Sequence, residues 1–382
     1  MTPKDYLTNP VFCTAPWTNL YVNPNGVVQN CSAGGNRYGN INDTPIEDII
    51  QHPDNIALKR SMLDRQPHPS CSTCIDYEKD QSNYKTPSHR TWYLKTMKTR
   101  SLDLYDHEHN FDLHGIDLRW RNTWNQACVY CTAELSSRWA DELGVKINIS
   151  ETARDRTKTY IYSKLHQLKD VYLAGGEPLL INDNIELLER LKEQNPNVSI
   201  RINTNLSIIN NKIYNLITKF KNVHWVVSID ALEDEYEYIR YPGNWKIFEN
   251  NLKELHAQGH KISFNLVWCI LNAHSIFDCI DYLLAQGFHE NSLVVHPTDS
   301  PKHLDINHLP NTQLLELKSI IENRLAQSTD KFLYQRSLHS MLQFLNFERE
   351  KNINSVFDNL AVLDLRRKLN SKEVFPQLYQ YR

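Results

Sequence analysis

Between residues 114 and 297 the chain switches repeatedly between short apolar runs and longer amphipathic ones. The runs Gly115–Trp120, Asp170–Ala174, Ser199–Asn203, His224–Ile229, Lys261–Cys269 and Ser292–His296 are rich in Val, Ile, Leu or aromatic residues and read as strands. Helical spacing predicts helices over 133–144 with 155–167, then 183–194, 208–219, 246–258 and 275–286. Leu187, Leu188 and Leu191 share one such face, and Leu252 and Leu255 another. Such a series builds parallel βαβ units with right-handed crossovers. The expected class is therefore α/β, as an open doubly wound sheet or a partial (β/α)6 TIM-type barrel.

In parallel α/β folds chemistry collects beyond the C-terminal ends of the strands. The unusual residues fall there. Arg121–Cys131 follows strand one, Gly175-Gly176-Glu177-Pro178 follows strand two, and Thr204-Asn205 follows strand three. Strand four ends in Ser228-Ile229-Asp230, strand five near Asn272, and strand six at His296-Pro297. A Gly-Gly pair lets backbone approach a ligand closely, and the next carboxylate suits a ligand ammonium. Taken alone, this pair also fits an ordinary βα turn.

Residues 1–112 read as irregular, with turn signals at Pro24-Asn25-Gly26 and Gly34-Gly35 and a short helical stretch near 46–63. Residues 113–300 hold the βα series, and 301–382 read as helices carrying Leu314, Leu315, Leu317, Leu360, Leu363 and Leu365. With 42 Lys+Arg against 45 Asp+Glu, the chain lacks the cationic excess of a general nucleic-acid or membrane-surface binder. No run is long and apolar enough to cross a bilayer, and MTPKDYLTNPVF has no apolar signal core, so a cytoplasmic location is expected. Eight cysteines are too few for a disulfide scaffold at this length; in a reducing compartment they read as ligands or nucleophiles.

Two cysteine groups stand out: Cys128 with Cys131 after strand one, and Cys13, Cys31, Cys71 and Cys74 near the N-terminus. A Cys-x-x-Cys loop after strand one, followed by Gly175–Pro178 after strand two, resembles the radical S-adenosylmethionine (SAM) superfamily. Val226–Ala231 and Tyr238–Trp245 resemble the members that carry a SPASM or twitch domain. Phe12–Trp17, Val22–Cys31 and Cys71-Ser72-Thr73-Cys74 resemble the auxiliary-cluster module of that group, placed before the barrel rather than after it. The resemblance covers roughly residues 11–300 and rests on several motifs agreeing in order and spacing.

The resemblance implies a [4Fe-4S] cluster held by a CxxxCxxC loop, with one iron open to the amino and carboxyl groups of SAM. The reduced cluster would cleave SAM to a 5′-deoxyadenosyl radical that takes hydrogen from a peptide or small-molecule substrate. The electron would come from a reductant such as flavodoxin or ferredoxin. By motif position Tyr130 would pack on adenine, and Gly175, Gly176 and Glu177 would meet the SAM amino group. Ser228 and Asp230 would face the ribose, Asn205 would complete the pocket, and Arg240 would meet the SAM carboxylate. An auxiliary [4Fe-4S] cluster on Cys13, Cys31, Cys71 and Cys74 is implied; spacing alone fits zinc equally. Ser88-His89-Arg90 resembles a Ser/Arg element of these modules, suited to neutralising cluster charge, or a plain helix start.

The chain departs from the pattern at one ligand. Cys128 and Cys131 match the second and third cysteines, but Trp124 stands at the first. An indole N–H only donates and offers iron no lone pair. The chain is then a degenerate member without radical chemistry, an enzyme with an isolated change, or a protein in which another thiol substitutes. Cys269 is the barrel cysteine placed for that substitution; its ordinary reading, like that of Cys279, is a buried small hydrophobe. A zinc-stabilised binding module is the remaining alternative. The run Asp106–His109 with Asp112 and His114 reads as a solvated polar loop rather than a metal site, and Lys95–Arg100 and Arg366–Lys368 as solvated helix faces.

Overall fold

The computed structural model describes residues 3–79, 88–95, 102–147, 150–329 and 333–382. Of the basic run Lys95–Arg100, only Lys95 lies within the described residues. Two compact units emerge. One holds Met1–Trp124, Ala133–Asn203 and Asn210–His224; the other holds Asn125–Thr132, Thr204–Ile209 and Trp225–Arg382.

In the first unit the strands are β1 Asn19–Val22, β2 Val27–Gln29, β3 Gly39–Asn40, β4 Gly115–Leu118, β5 Asp170–Leu173 and β6 Ser199–Thr204, in the order β3-β2-β1-β4-β5-β6. The first three lie in the segment read as irregular. They are two to four residues long, too short for period-two patterning to show. β1 pairs in parallel with β4, so the cysteine-bearing segment extends the same sheet. In the second unit β7 (Asn222–Ser228), whose Trp225–Ser228 portion belongs there, precedes β8 Lys261–Trp268 and β9 Leu293–Pro297, and β8 and β9 are parallel. From β4 onward strands alternate with helices, an α/β fold with the strand–helix series of a partial (β/α)6 barrel.

Helix starts follow local chemistry. Ser136, Ser150, Asn211 and Asn244 each accept a backbone N–H of the first turn, which satisfies an otherwise orphaned donor. The helix Asp183–Gln194 buries Leu187, Leu188 and Leu191, as its spacing predicts. In the C-terminal helices Leu314, Leu317, Leu360 and Leu363 are buried, whereas Leu315 and Leu365 face outward. Arg367 is not solvated; it is buried, with its guanidinium 5.0 Å from the Tyr241 ring centroid. No helix among the described residues is long and apolar enough to cross a membrane.

The strands are two-faced. Val171, Leu173, Ile200 and Ile202 are buried on one face of the first unit's sheet, as are Ile262, Phe264, Leu266 and Trp268 of β8 in the second unit. The opposite face is more polar, buried at Tyr21 and Asp117 and half-buried at Tyr172 and Arg201. In the first unit Tyr21, Asp117, Tyr172 and Arg201 stand in register across β1, β4, β5 and β6. Arg119 pairs with Asp117 at 3.2 Å and lies over the Tyr21 ring; Arg201 pairs with Asp170 at 3.2 Å and lies over Tyr172 and Trp92. Parallel sheets usually bury both faces in aliphatic side chains.

Asp183 fixes the C-terminal side of β4 and β5. Its carboxylate takes Arg121 at 2.8 Å, Lys158 at 2.7 Å and Arg154 at 3.2 Å. Burial raises its pKa, but the hydrogen bonds and charges of Lys158 and Arg121 outweigh burial, and the result lies below the ordinary 3.8. A depressed carboxylate stabilises the fold above its unfolded pKa and loses that contribution as pH falls through the folded one. In acid unfolding followed by circular dichroism, wild type should lose stability below about pH 4, and Asp183→Asn should lose that part of the dependence. An unchanged profile in the variant would contradict the assignment.

Candidate functional site

Within the second unit, the residues Asn125–Thr132 form a loop that the backbone itself holds. Ala127 N–H donates to Tyr241 O at 2.5 Å and Val129 N–H to Ile239 O at 2.9 Å. Cys131 N–H donates to Cys128 O at 2.9 Å, so the two cysteines are the ends of a tight turn. Ile239 ends the helix Glu233–Ile239, an element without an apolar helical pattern, since its seven residues include four acids and only one aliphatic side chain.

A buried ion pair supports this turn. Arg240 Nε lies 2.8 Å from Asp230 Oδ2, off the hydrogen-bond direction, with both side chains almost fully buried. Tyr130 Oη–H donates to the same oxygen at 2.6 Å, and Val267 N–H donates to Asp230 Oδ1 at 2.7 Å. Arg240 Nη1 reaches Cys128 Sγ at 3.9 Å, and its guanidinium lies 5.9 Å from the Tyr130 centroid. Burial works against the charge of Arg240, but Asp230 more than offsets it, so the group stays cationic. Burial pushes the Cys128 thiol up while Arg240 pulls it down. Cys131 is pushed up to about 12 by burial and by Cys128.

Asp230 thus has hydrogen-bonded or ionic partners on both carboxylate oxygens within the protein. Asn272 adds a clamp from β8, donating through Nδ2 to Asp230 O and Val267 O at 2.8 Å each and accepting Cys269 N–H at 2.8 Å. Cys269 itself is fully buried, between β8 and the turn Ile270–Asn272. Asn205 donates to Asn125 Oδ1 at 2.8 Å, and Asn125 to Ser207 Oγ at 2.8 Å, which ties the segment Thr204–Ile209 to the start of the cysteine loop within the second unit. Ser228 is buried at the end of β7.

Within the first unit, Gly175 and Gly176 adopt φ of +73° and +61°. A Cβ on Gly175 would lie 2.3 Å from Arg119 Cβ, and one on Gly176 2.3 Å from Thr123 O. The glycines therefore serve a close approach to the loop after β4, where Glu177 N–H donates to Thr123 O at 2.8 Å. Glu177 is fully buried and its carboxylate accepts Leu179 N–H at 3.2 Å. Trp124 buries an indole N–H that finds no hydrogen-bond partner.

The N-terminal cysteines gather in the same unit. Burial raises all four thiols, Cys31 to about 11 and Cys71 to about 12; neighbouring thiols raise Cys13, Cys31 and Cys71 further, and Glu78 raises Cys74. Backbone N–H groups pull the other way: Ala15 on Cys13, Ala33 and Gly34 on Cys31, and His89 and Arg90 on Cys74. Arg90 pairs with Glu78 at 2.5 Å and donates to Phe12 O at 3.1 Å, so Ser88-His89-Arg90 is tied into this module. Four gathered thiols, three of them met by backbone donors, fit an iron–sulfur cluster, whose sulfurs take such hydrogen bonds. Among the described residues no three His, Cys, Asp or Glu side chains close around one point as a single metal ion requires. The four thiols are near enough to repel as thiolates, but not that near. Near His107, Glu108 pairs with Arg60 and Asp112 with His114.

Two family models match the chain: the radical SAM superfamily over residues 125–283, and SPASM, an iron-sulfur cluster-binding domain, over residues 13–75. The chain thus carries a match to a radical SAM domain. Its SPASM domain precedes the radical SAM domain. A probable GTP 3′,8-cyclase of Methanococcus aeolicus is 23% identical over 244 residues, covering 62% of this chain and 75% of that one. Streptococcus suis SuiB bound to S-adenosylmethionine matches with TM-score 0.44 at 16% identity, covering 70% of this chain; the chain spans 63% of the SuiB chain. SuiB bound to its precursor peptide SuiA matches with TM-score 0.44 at 14% identity, over 79% of this chain and 70% of SuiB.

Breaking the pair under the cysteine turn strands a buried charge. Arg240→Leu should cost about 3–5 kcal/mol in urea unfolding, and the double variant Asp230→Asn/Arg240→Leu should cost less than the sum of the two single changes. A loss below about 1 kcal/mol in Arg240→Leu would show that the pair is not desolvated.

Proposed function

We propose that this radical SAM protein carries a [4Fe-4S] cluster on Cys13, Cys31, Cys71 and Cys74 and binds SAM through Tyr130, Gly175, Gly176, Glu177, Asn205 and Ser228. As the chain stands it is one thiolate short of holding a SAM-cleaving cluster, and it acts by binding a peptide or small molecule. The observation that carries this reading is the donor set of the loop after β4: Trp124, Cys128 and Cys131. The indole has no lone pair for iron, and the candidate substitute Cys269 is a fully buried residue between β8 and the turn Ile270–Asn272. The donor set therefore does not fit the three-thiolate site of the family, whereas the N-terminal set fits a fully ligated cluster.

In this account Asp230 and Arg240 position the cysteine turn rather than meet ribose and carboxylate. The peptide-or-small-molecule class follows from the SPASM resemblance, since that group often matures peptides. The polar strand face of the first unit, with Arg119, Arg201, Tyr21 and Tyr172, offers the contacts such a ligand needs.

A second reading is favoured by the Cys128 turn, which is already organised by Tyr130, Asp230 and Arg240. A third ligand from outside the chain would then complete the site. SAM and its cluster would supply a 5′-deoxyadenosyl radical, with flavodoxin or ferredoxin as electron donor.

Iron and sulfide after anaerobic reconstitution separate the readings. Wild type should bind one cluster's worth and release little 5′-deoxyadenosine from SAM with dithionite. Trp124→Cys should bind two clusters' worth and cleave SAM at least about 10-fold faster, since even the outer partners of a metal site are worth 10–100-fold. Equal SAM cleavage by both proteins would overturn the proposal and favour the second reading. Zinc without sulfide at the N-terminal cysteines would overturn the cluster assignment.

A further inference from the structure

The Asp183 node holds more positive charge than its carboxylate can match. Arg121, Arg154 and Lys158 converge on it, so three cations face one anion and two charges remain. Glu151 touches Arg154 from the rim at 3.4 Å, but its side chain is 85% exposed and screened by water.

Arg154 is the informative member. Its side chain is only 5% exposed, and Nε, although 3.2 Å from Asp183 Oδ1, makes no aligned hydrogen bond. Nη1 has no partner either. A buried guanidinium is costly unless its N–H groups are met by acceptors. Two of its three nitrogens therefore ask for an oxygen-rich anion that the protein does not supply. Lys158 is 15% exposed and Arg121 40% exposed, so solvent reaches the node from one side.

We propose that Arg121, Arg154 and Lys158 form a phosphate-binding site, taking inorganic phosphate or the phosphate group of a monoester. A phosphate carries a charge of about −1.5 to −2 at neutral pH, which matches the two uncompensated cations. Its oxygens suit guanidinium forks, and it has more of them to share among three cations than one carboxylate has. The twelve-residue helix Asp183–Gln194 also starts at this point and adds its N-terminal dipole. The site is built on the segments that follow β4 and β5. Arg121 lies three positions before Trp124, and Asp183 six after Glu177. A bound phosphate would tie the loop after β4 to the start of the helix that follows β5.

The test titrates inorganic phosphate, and separately glycerol phosphate, into the full chain at constant ionic strength, read by calorimetry and by the shift in Tm. Acetate is the control anion. Saturable one-to-one binding is expected, weakened about 10-fold or more in Lys158→Met and in Arg121→Gln, the loss of one charge-assisted hydrogen bond. Arg121 is half-exposed, so Arg121→Gln keeps the fold even if Arg154 variants do not. Tighter glycerol phosphate binding assigns the ligand to a phosphorylated metabolite, and tighter inorganic phosphate binding to the free ion; either supports the site. Phosphate that stabilises no more than acetate, or variants that bind as wild type does, would overturn it.

Discussion

The buried contact between Asp230 and Arg240 is the constraint on which the second unit's candidate site depends. Arg240 cannot shed its charge, and Asp230 is the anion beside it. That pairing places a cation at 3.9 Å from Cys128 and holds Tyr130 by its hydroxyl. The backbone on either side of Arg240 then fixes the cysteine loop, through the carbonyls of Ile239 and Tyr241. A pair of this kind contributes little net stability against an apolar replacement of the same shape. Its worth lies in geometry: it sets where the turn between Cys128 and Cys131 can be.

The two cysteine groups differ in what surrounds them. The N-terminal thiols are met by backbone N–H groups and by one another, an environment made for several thiolates at once. The pair after β4 has one guanidinium beside Cys128, and the position where the family places its first thiol holds an indole whose N–H is buried without a partner. Soft sulfur ligands hold iron; a donor-only ring does not. The chain therefore keeps the scaffold of radical chemistry around an incomplete donor set.

Much of the strand and helix series was legible because it has long, strongly patterned segments. The helix Asp183–Gln194 and strand β8 coincide with their periodic runs to within a residue. The strands β1 to β3 were hidden by their shortness, and the helix Glu233–Ile239 by its acidic composition. The glycines after β5 were visible as a pair, but their local purpose, clearance for Arg119 and Thr123, depends on a neighbouring loop that spacing cannot locate. Asp230 was visible at a strand end, and its engagement with Arg240, Tyr130 and Val267 was not, since those partners are 10 to 100 positions away. The convergence on Asp183 from three separate segments was invisible for the same reason.

The most direct test is electron paramagnetic resonance of the dithionite-reduced, reconstituted wild-type protein with and without SAM. An iron open to SAM changes its signal when SAM binds, and a cluster whose irons are all held by thiolates does not. The account predicts a single [4Fe-4S] signal, abolished by Cys71→Ser and unmoved by SAM. A second signal that shifts on adding SAM would show that Cys128 and Cys131 hold a working cluster despite Trp124, and would contradict it.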